Sequence, residues 1–379
     1  MAIKELVKEL KKAYPTKKFV ISTVTPTGNK IAQRLVQAGD FVTYLPLDFG
    51  LIIRHSLNKI KPSLFIIAET EIWPNLILQL YRRKIPVILV NARISDRAFS
   101  GYRKIKLLLK PVLEKISLFC AQTDRDAQRF KALGVPGEKI RVTGNMKFDV
   151  TDYTGSKKDY TDYRRKLALE SKDRLLVAGS THPGEEEMIL GVYKDLLNDF
   201  PNLKLLLAPR HPERTRDIEK IVIKYGLNLV KVSQLASLPV CQLNRPTGQQ
   251  AKRPTVFILD TIGELLSFYA IADIVFVGGS LIKKGGHNIL EPASQGKPIL
   301  FGPYMFNLRD IAELFLKNRA AVQVNSREEL KIKIKELLSK PEEAADLGRR
   351  ARDLISENRG ATQRTLDIIK GYKMREWLG

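Results

Sequence analysis

Residues 277–303 read VGGSLIKKGGHNILEPASQGKPILFGP, and what this stretch is decides what the chain is. The apolar run Ile274 to Val277 ends in Gly278-Gly279-Ser280. A second pair, Gly285-Gly286, leads into His287-Asn288, and Ile289 to Gln295 reads as a short helix. A strand, a glycine loop and a helix start together suit a phosphate. Glycine lets the backbone approach closely, and the first N–H groups of a helix lie at its positive dipole end. Asn288 is placed to cap that helix. Glu291 stands one turn inside, on the face of His287 and Asn288, where its carboxylate can accept from the two adjacent hydroxyls of a ribose. The stretch is therefore a candidate nucleotide loop. Spacing alone fits a capped, glycine-rich turn with no ligand at least as well.

Working outward, the chain of 379 residues is long enough for two domains, and 44% hydrophobic with 28% charged residues is the balance of a soluble globular protein. Cys120 and Cys241 lie far apart and suggest neither a disulfide framework nor a metal site, which fits a reducing compartment. The net charge of +23 calls for an anionic partner: nucleic acid, lipid headgroups or a phosphorylated substrate. The basic residues are spread along the chain, as a solvated surface also shows. No run of about 18 apolar residues is present, so contact with a membrane is expected to be peripheral.

The periodicity alternates strand and helix. An amphipathic helix covers 3–13, with strands at 19–23, 41–45, 64–68, 86–90 and 117–121. Helices fall at 29–37, 75–83, 103–115 and 124–132, and Thr25-Pro26-Thr27-Gly28 reads as a loop. Residues 150–162 are polar and aperiodic and mark a domain boundary. The alternation restarts with strands at 175–178, 203–208, 227–231, 255–259 and 274–277, and helices at 184–198, 214–225 and 263–271. A loop at 241–253 is expected to be mobile, and charged amphipathic helices follow at 327–339, 341–357 and 360–376. The expected fold class is α/β, with domains at 1–150 and 151–379 built as two Rossmann-like halves. Ligands of such sheets sit at the carboxyl ends of the strands.

Nine local motifs occur in one order: STVTPTGNK (22–30), AETEIWPN (68–75), NARISDR (91–97), AQTDRDAQRFKALG (121–134), VTGNMKFD (142–149), AGSTHPGEEE (178–187), APRHPER (208–214), LDTIGEL (259–265) and VGGSLIKKGGHNILEP (277–292). Together they closely resemble the 3-deoxy-D-manno-octulosonic acid (Kdo) transferases. The resemblance implies a GT-B fold, two Rossmann-like domains with an interdomain cleft, the last helix packing back on the first domain. It implies an inverting glycosyltransferase that moves Kdo from CMP-Kdo to a phosphorylated lipid A precursor, lipid IVA, in lipopolysaccharide core biosynthesis, with no metal or other cofactor. It also implies attachment to the anionic cytoplasmic face of the inner membrane. Members of that family begin with an anchor and a first strand ending in a glycine–glutamate loop that supplies the general base. This chain starts at the helix after that loop, so impaired activity is expected.

The expected site residues follow from the motifs. Pro209 and Arg210 end the strand at 203–208, where a guanidinium matches a phosphate bidentately. Ile262, Gly263 and Glu264 open a helix whose N–H groups can face cytidine, unless Thr261 or Asp260 caps it. Asn288, Ile289, Leu290 and Glu291 would hold ribose and phosphate. Ser180, Thr181, Gly279 and Ser280 are further donors to phosphate or carboxylate. Lys147 can stabilise the departing phosphate or the Kdo carboxylate. By resemblance Glu69 assists the transition state, while Glu71, Arg93 and Arg97 face the acceptor. His182 and His211 are as readily local turn residues as ligand contacts. The basic helix at 3–13 and the cluster RKIKLLLK at 103–110 can lie on anionic lipid, although a charged face in solvent is the plainer reading.

Other readings are open from sequence. One is a different GT-B nucleotide-sugar transferase, such as a lipid A disaccharide synthase-like enzyme. Another is a truncated, non-catalytic nucleotide- or lipid-binding remnant. A nucleic-acid binder finds no stacking platform or recognition motif to support it.

Overall fold

The computed structural model describes residues 3–149, 161–236 and 254–378, arranged as two compact units, residues 1–151 with 358–379 and residues 152–357. Most of the polar stretch at 150–162, the whole loop at 241–253 and Cys241 lie outside the described residues.

In the first unit β1 (Val20–Thr23) and β2 (Phe41–Tyr44) pair in parallel with each other. The strands β3 (Phe65–Ala68), β4 (Val87–Ala92), β5 (Leu118–Ala121) and β6 (Ile140–Val142) form a parallel sheet in that order. All six residues of β4 are buried. Side chains alternate across a strand, so each face must find its own apolar cover. Val87 and Leu89 join a core with Ile77, Leu80, Leu113 and Phe130. Ile88 and Val90 join another with Leu6, Leu10, Met146, Leu366 and Ile369. That second core is closed by the first helix, Lys4–Ala13, and the last, Ala361–Leu378. The first unit thus uses both ends of the chain. Cys120 is packed in the same core, and burial pushes its thiol up to about 12.

The second unit is one parallel sheet of seven strands: β7 (Arg174–Thr181), β8 (Leu203–Pro209), β9 (Asn228–Lys231), β10 (Thr255–Ile258), β11 (Ile274–Val277), β12 (Ile299–Phe301) and β13 (Val322–Gln323). Their order across the sheet is β13-β12-β11-β7-β8-β10-β9. The strand order turns outward in both directions from the β7–β8 pair, and the crevice at such a reversal is where open α/β sheets hold ligands.

Three readings change. Thr25-Pro26-Thr27-Gly28 is not an open loop. Thr25 caps the helix Pro26–Gln33, its hydroxyl accepting from the Gly28 N–H at 3.1 Å, with Pro26 at the first helical position. The helix read over 103–115 is two, Asp96–Lys104 and Lys106–Leu113, separated at Ile105. Strands β6, β12 and β13 and the helix Arg309–Lys317 are additions; the strands are only two or three residues long, too short for a period to show.

Asp149 ties the last helix to the first unit. One carboxylate oxygen accepts from the Gly360 N–H at 2.6 Å and the other from the Thr362 N–H at 2.5 Å. Arg364 then donates to the Thr143 carbonyl at 2.8 Å. Asp149→Ala leaves these first-turn N–H groups unmet and is expected to cost about 1–2 kcal/mol. Urea denaturation of wild type and variant measures this; an unchanged midpoint would refute the capping role.

Candidate functional site

The second unit gathers its chemistry at the carboxyl ends of β7, β8 and β11. A register shift between Gly179 and Thr181 marks a bulge in β7, and Ser180 within it has φ +57°. A non-glycine residue adopts that conformation only where its surroundings hold it there, and bulges re-aim side chains. The Arg210 N–H donates to the Thr181 carbonyl at 3.0 Å, which sets Arg210 beside the β7 turn. Arg210 is exposed, and its guanidinium makes no ion pair or hydrogen bond among the described residues.

The first half of the glycine loop is already occupied. The Glu185 carboxylate, fully buried at the start of the helix Glu185–Leu196, accepts from the N–H groups of Gly279 (2.7 Å), Ser280 (3.0 Å), Leu281 (3.0 Å) and His182 (3.1 Å). Burial pushes the Glu185 pKa up, and these N–H donors hold it back. Gly279 and Ser280 therefore have no N–H groups to offer a phosphate. The Ser280 hydroxyl is equally committed, donating to Val277 and accepting from the Gly302 N–H at 2.8 Å. The Thr181 hydroxyl is sealed beside Glu186, whose carboxylate pairs with Arg214 at 3.0 Å. Of these four expected donors only the half-buried Ser180 keeps an accessible hydroxyl.

The second glycine pair shapes a different feature. Three of the chain's four histidines meet here. His182 and His287 stack with planes 8° apart and centroids 5.1 Å apart, their Nε2 atoms at 2.8 Å, and His211 lies edge-on to His182 at 6.0 Å. One Nε2 must donate and the other must keep a lone pair, so the two rings cannot both be imidazolium in this geometry. Burial, then Arg210 and the other histidines, lower His287 to about 4; burial, His211 and nearby cations lower His182. Among the described residues no group of three His, Cys, Asp or Glu side chains is arranged for a metal ion.

The helix after this loop runs Leu290–Ser294 and begins two residues later than Asn288. Asn288 still braces its start: Oδ1 accepts from the Leu290 N–H at 3.1 Å, and Nδ2 donates to a Glu291 oxygen at 3.1 Å. Ile289 and Leu290 are core residues, so only their main chain can meet a ligand. Burial raises the Glu291 carboxyl, against the pull of Asn288 and Arg210. Ile262 is 89% exposed, and Gly263, at φ +97°, turns the chain into the helix Leu265–Ile271. Asp260 does not cap that helix: it accepts from the Ser233 N–H and hydroxyl. Thr261 donates to Glu264, which also pairs with Lys166 at 2.8 Å. Burial would raise Glu264, but Lys166 and Thr261 outweigh it and its pKa is lowered.

In the first unit the expected residues also collect at strand ends. Glu69 follows β3 with φ +60°, its N–H donating to Val90 at 2.9 Å. Asn91, buried in β4 with φ +51°, accepts from the Met146 N–H at 3.0 Å, next to Lys147. Val90 and Asn91 thus tie together the turns that carry Glu69 and Lys147. Lys147 is half-buried, and its ammonium has no carboxylate partner among the described residues. Glu71 is exposed, close enough for its charge to add to the burial that raises Tyr102. The Arg93 N–H donates to the Thr70 hydroxyl at 3.3 Å, and Arg97 is exposed in the first turn of its helix.

Sequence reasoning missed Glu185, Asn91 and the pairing of His182 with His287. Three consecutive glutamates at a helix start, 185–187, signal dipole pairing but do not say which carboxylate turns inward. The second unit can hold a phosphate on Arg210 and a diol on Glu291. The first offers a strained carboxylate and an unpaired cation.

A family profile described as 3-deoxy-D-manno-octulosonic-acid transferase matches residues 1–150, and one described as glycosyl transferases group 1 matches residues 248–354. The chain is 38% identical over 378 residues to a 3-deoxy-D-manno-octulosonic acid transferase of Haemophilus influenzae, covering 99% of this chain and 85% of that one. It is 32% identical over 370 residues to the protein of the same name from Chlamydophila psittaci, covering 97% and 81%. Among solved structures it is similar to the UDP-GlcNAc 2-epimerase of Neisseria meningitidis, with TM-score 0.59 and 14% identity over 94% of this chain and 95% of that one. That likeness shows the fold, GT-B with two Rossmann-like units.

Because His287 is held near 4 in the fold, against 6.5 ordinarily, the unfolded chain binds the extra proton between these values. The stability this site contributes is full above pH 6.5 and is lost as the pH falls toward about 4. NMR titration of the His287 ring should give a midpoint near 4, and a midpoint above about 6 would contradict the stacked, neutral pair.

Proposed function

The chain belongs to the 3-deoxy-D-manno-octulosonic acid (Kdo) transferase family, and from that premise we propose that it moves Kdo from CMP-Kdo to a hydroxyl of a phosphorylated lipid A precursor of the lipid IVA type, with inversion at the anomeric carbon. This is a step of lipopolysaccharide core biosynthesis. The observation that carries the donor assignment is Arg210: an exposed, unpaired guanidinium at the end of β8, whose charge acts on Glu291 and His287.

The donor phosphate lies on Arg210 and is met from the β7 turn by the Ser180 hydroxyl. One Glu291 oxygen is occupied by Asn288; the other takes no hydrogen bond among the described residues and accepts from the ribose hydroxyls. The main chain of Ile262 and Gly263 is exposed to the cytidine, as is that of Ile289 to the phosphate. In the reaction the bond from the anomeric carbon to the CMP phosphate breaks, leaving its electron pair on the phosphate. The acceptor oxygen bonds to the opposite face of that carbon and passes its proton to a carboxylate base, a role open in this chain to Glu69 or Glu71 after β3. Negative charge grows on CMP while the sugar becomes oxocarbenium-like, so fixed cations and carboxylates aimed at these places lower the barrier. Lys147 is assigned to the departing phosphate or the Kdo carboxylate, and Glu69 to the transition state or the orientation of the acceptor. Glu71, Arg93 and Arg97 are assigned to the acceptor, the two arginines on its phosphates.

Calorimetric titration should show CMP binding more tightly than UDP, and Arg210→Ala should weaken CMP binding by about 10- to 100-fold, the worth of a charged hydrogen-bonded contact. Tighter binding of UDP would favour a different nucleotide-sugar transferase. If neither this chain nor a version extended by an upstream glycine–glutamate segment transfers Kdo from CMP-Kdo to lipid IVA, while both still bind CMP, the transferase reading falls.

A further inference from the structure

Between its two glycine pairs the loop after β11 carries Lys283 and Lys284, and from 277 to 290 the chain has no carboxylate. The two lysines differ. The Lys283 ammonium lies over the Tyr304 ring, 6.0 Å from its centroid. Lys284 is exposed, and its ammonium makes no ion pair or hydrogen bond among the described residues. Its main chain, by contrast, is held from both sides. The Lys284 N–H donates to the Ile282 carbonyl at 2.7 Å, and the Lys284 carbonyl accepts from the Asn307 side-chain amide at 3.1 Å. The segment after β12 grips the rest of the loop. The Tyr304 N–H donates to the Ser280 carbonyl at 2.9 Å, and the Asn307 N–H to that of Gly285 at 3.0 Å. A Cβ on Gly285, at φ +95°, would lie 2.6 Å from the Phe306 ring and closer still to the Asn307 amide nitrogen, so glycine is required there. Phe306 thus sits on the loop, yet 58% of it is exposed.

The place of Lys284 relative to Arg210 points to a ligand. Lys284 stands three residues before His287, whose ring pairs with His182. Burial, His211, Lys284, Arg214 and Arg210 together lower His182, so Lys284 and Arg210 act on the same imidazole. Arg214 is committed to Glu186 at 3.0 Å. Two free cations remain, one from the end of β8 and one from the loop after β11, with an exposed aromatic ring next to the second. One phosphate does not need both. The pair suits a ligand with two neighbouring anionic groups, and the ring suits apolar carbons close to them. A CMP-linked ulosonic acid has this pattern: its phosphate and its carboxylate are carried on one anomeric carbon, and its sugar presents C–H groups. A nucleoside diphosphate shares the two anions but places the second on phosphorus.

We propose that Lys284 is a specificity-determining residue of the donor site: its ammonium takes the carboxylate of the acidic sugar while Arg210 takes the phosphate, and the Phe306 ring covers the carbon face of that sugar. The assignment rests on the transferase reading, deepens it, and leaves Lys147 to the departing phosphate.

The test is calorimetric titration of the full chain with CMP, with CMP-Kdo and with UDP. Lys284→Gln should weaken CMP-Kdo by about 10-fold, the low end for a charged hydrogen-bonded contact, and CMP by less than about twofold. Lys284→Arg keeps the charge and should recover most of the loss. Phe306→Leu keeps an apolar cover on Gly285 without the flat ring, and should weaken CMP-Kdo more than CMP. Lys284→Gln should melt with wild type, because the side chain is unpaired and exposed. A Lys284→Gln chain that binds CMP-Kdo as wild type does overturns the proposal. So does one that loses CMP and CMP-Kdo equally, which would make Lys284 a phosphate ligand. A loss seen with UDP and not with CMP-Kdo would assign the cation to a second phosphate and overturn it too. An unchanged Phe306→Leu chain removes the ring from the subsite. Failure confined to the variants leaves the transferase reading standing, whereas a wild type that binds UDP but no CMP-Kdo removes that reading and the proposal with it.

Discussion

The buried carboxylate of Glu185 holds the ligand end of the second unit together. Three of its N–H donors come from the loop after β11 and the fourth from the turn after β7. An ionised carboxylate buried without partners is prohibitively costly, whereas four backbone donors replace its lost hydration. The carboxylate occupies the nest of N–H groups that a glycine loop would otherwise offer to a phosphate. With that nest filled from within, the external anion is left to Arg210, and the loop is rigid where it supports His287 and Asn288. Substituting neighbouring glycines would also fail sterically: a Cβ on Gly278 would lie 2.6 Å from the Ser180 carbonyl oxygen, and one on Gly302 would lie 2.2 Å from that of Ser280.

Both units treat their strand ends in the same manner. Glu69, Asn91 and Ser180 are non-glycine residues in the left-handed region, each at or near the carboxyl end of a parallel strand. Such conformations cost on the order of 1–3 kcal/mol each and survive only where packing over-determines them. At Asn91 and Ser180 the register of the neighbouring strand shifts as well. In the first unit the buried Asn91 amide fixes the turn of Lys147, and Glu69 is bonded to the adjacent Val90. Strain at these points turns plain strand ends into aimed side chains.

The large positive charge divides into distinct uses. Some lysines pair on the surface with a glutamate three or four residues away, which cancels their charge and contributes little to stability. A smaller part is unpaired and placed: Arg210 and Lys147 at strand ends. Net charge alone could not separate solvation from recognition. Pairing and exposure do.

The alternation of strand and helix, the two-unit α/β organisation and the family were legible in the sequence, because buried parallel strands such as β4 write continuous apolar runs and nine motifs stood in one order. The place of Arg210 just after an apolar run was legible too, since local geometry alone sets it, whereas Glu291, expected one turn into its helix, stands at the second residue. The expectation for Gly279 and Ser280 failed because Glu185, which takes their N–H groups, lies 94 and 95 residues earlier. His182 and His287, 105 residues apart, meet only when β7 and β11 become neighbours in the sheet. Thr181 looked like a free hydroxyl until the β7 bulge turned it inward. Local periodicity determines which elements form, whereas which polar group is already satisfied depends on contacts across the sheet that no local spacing encodes.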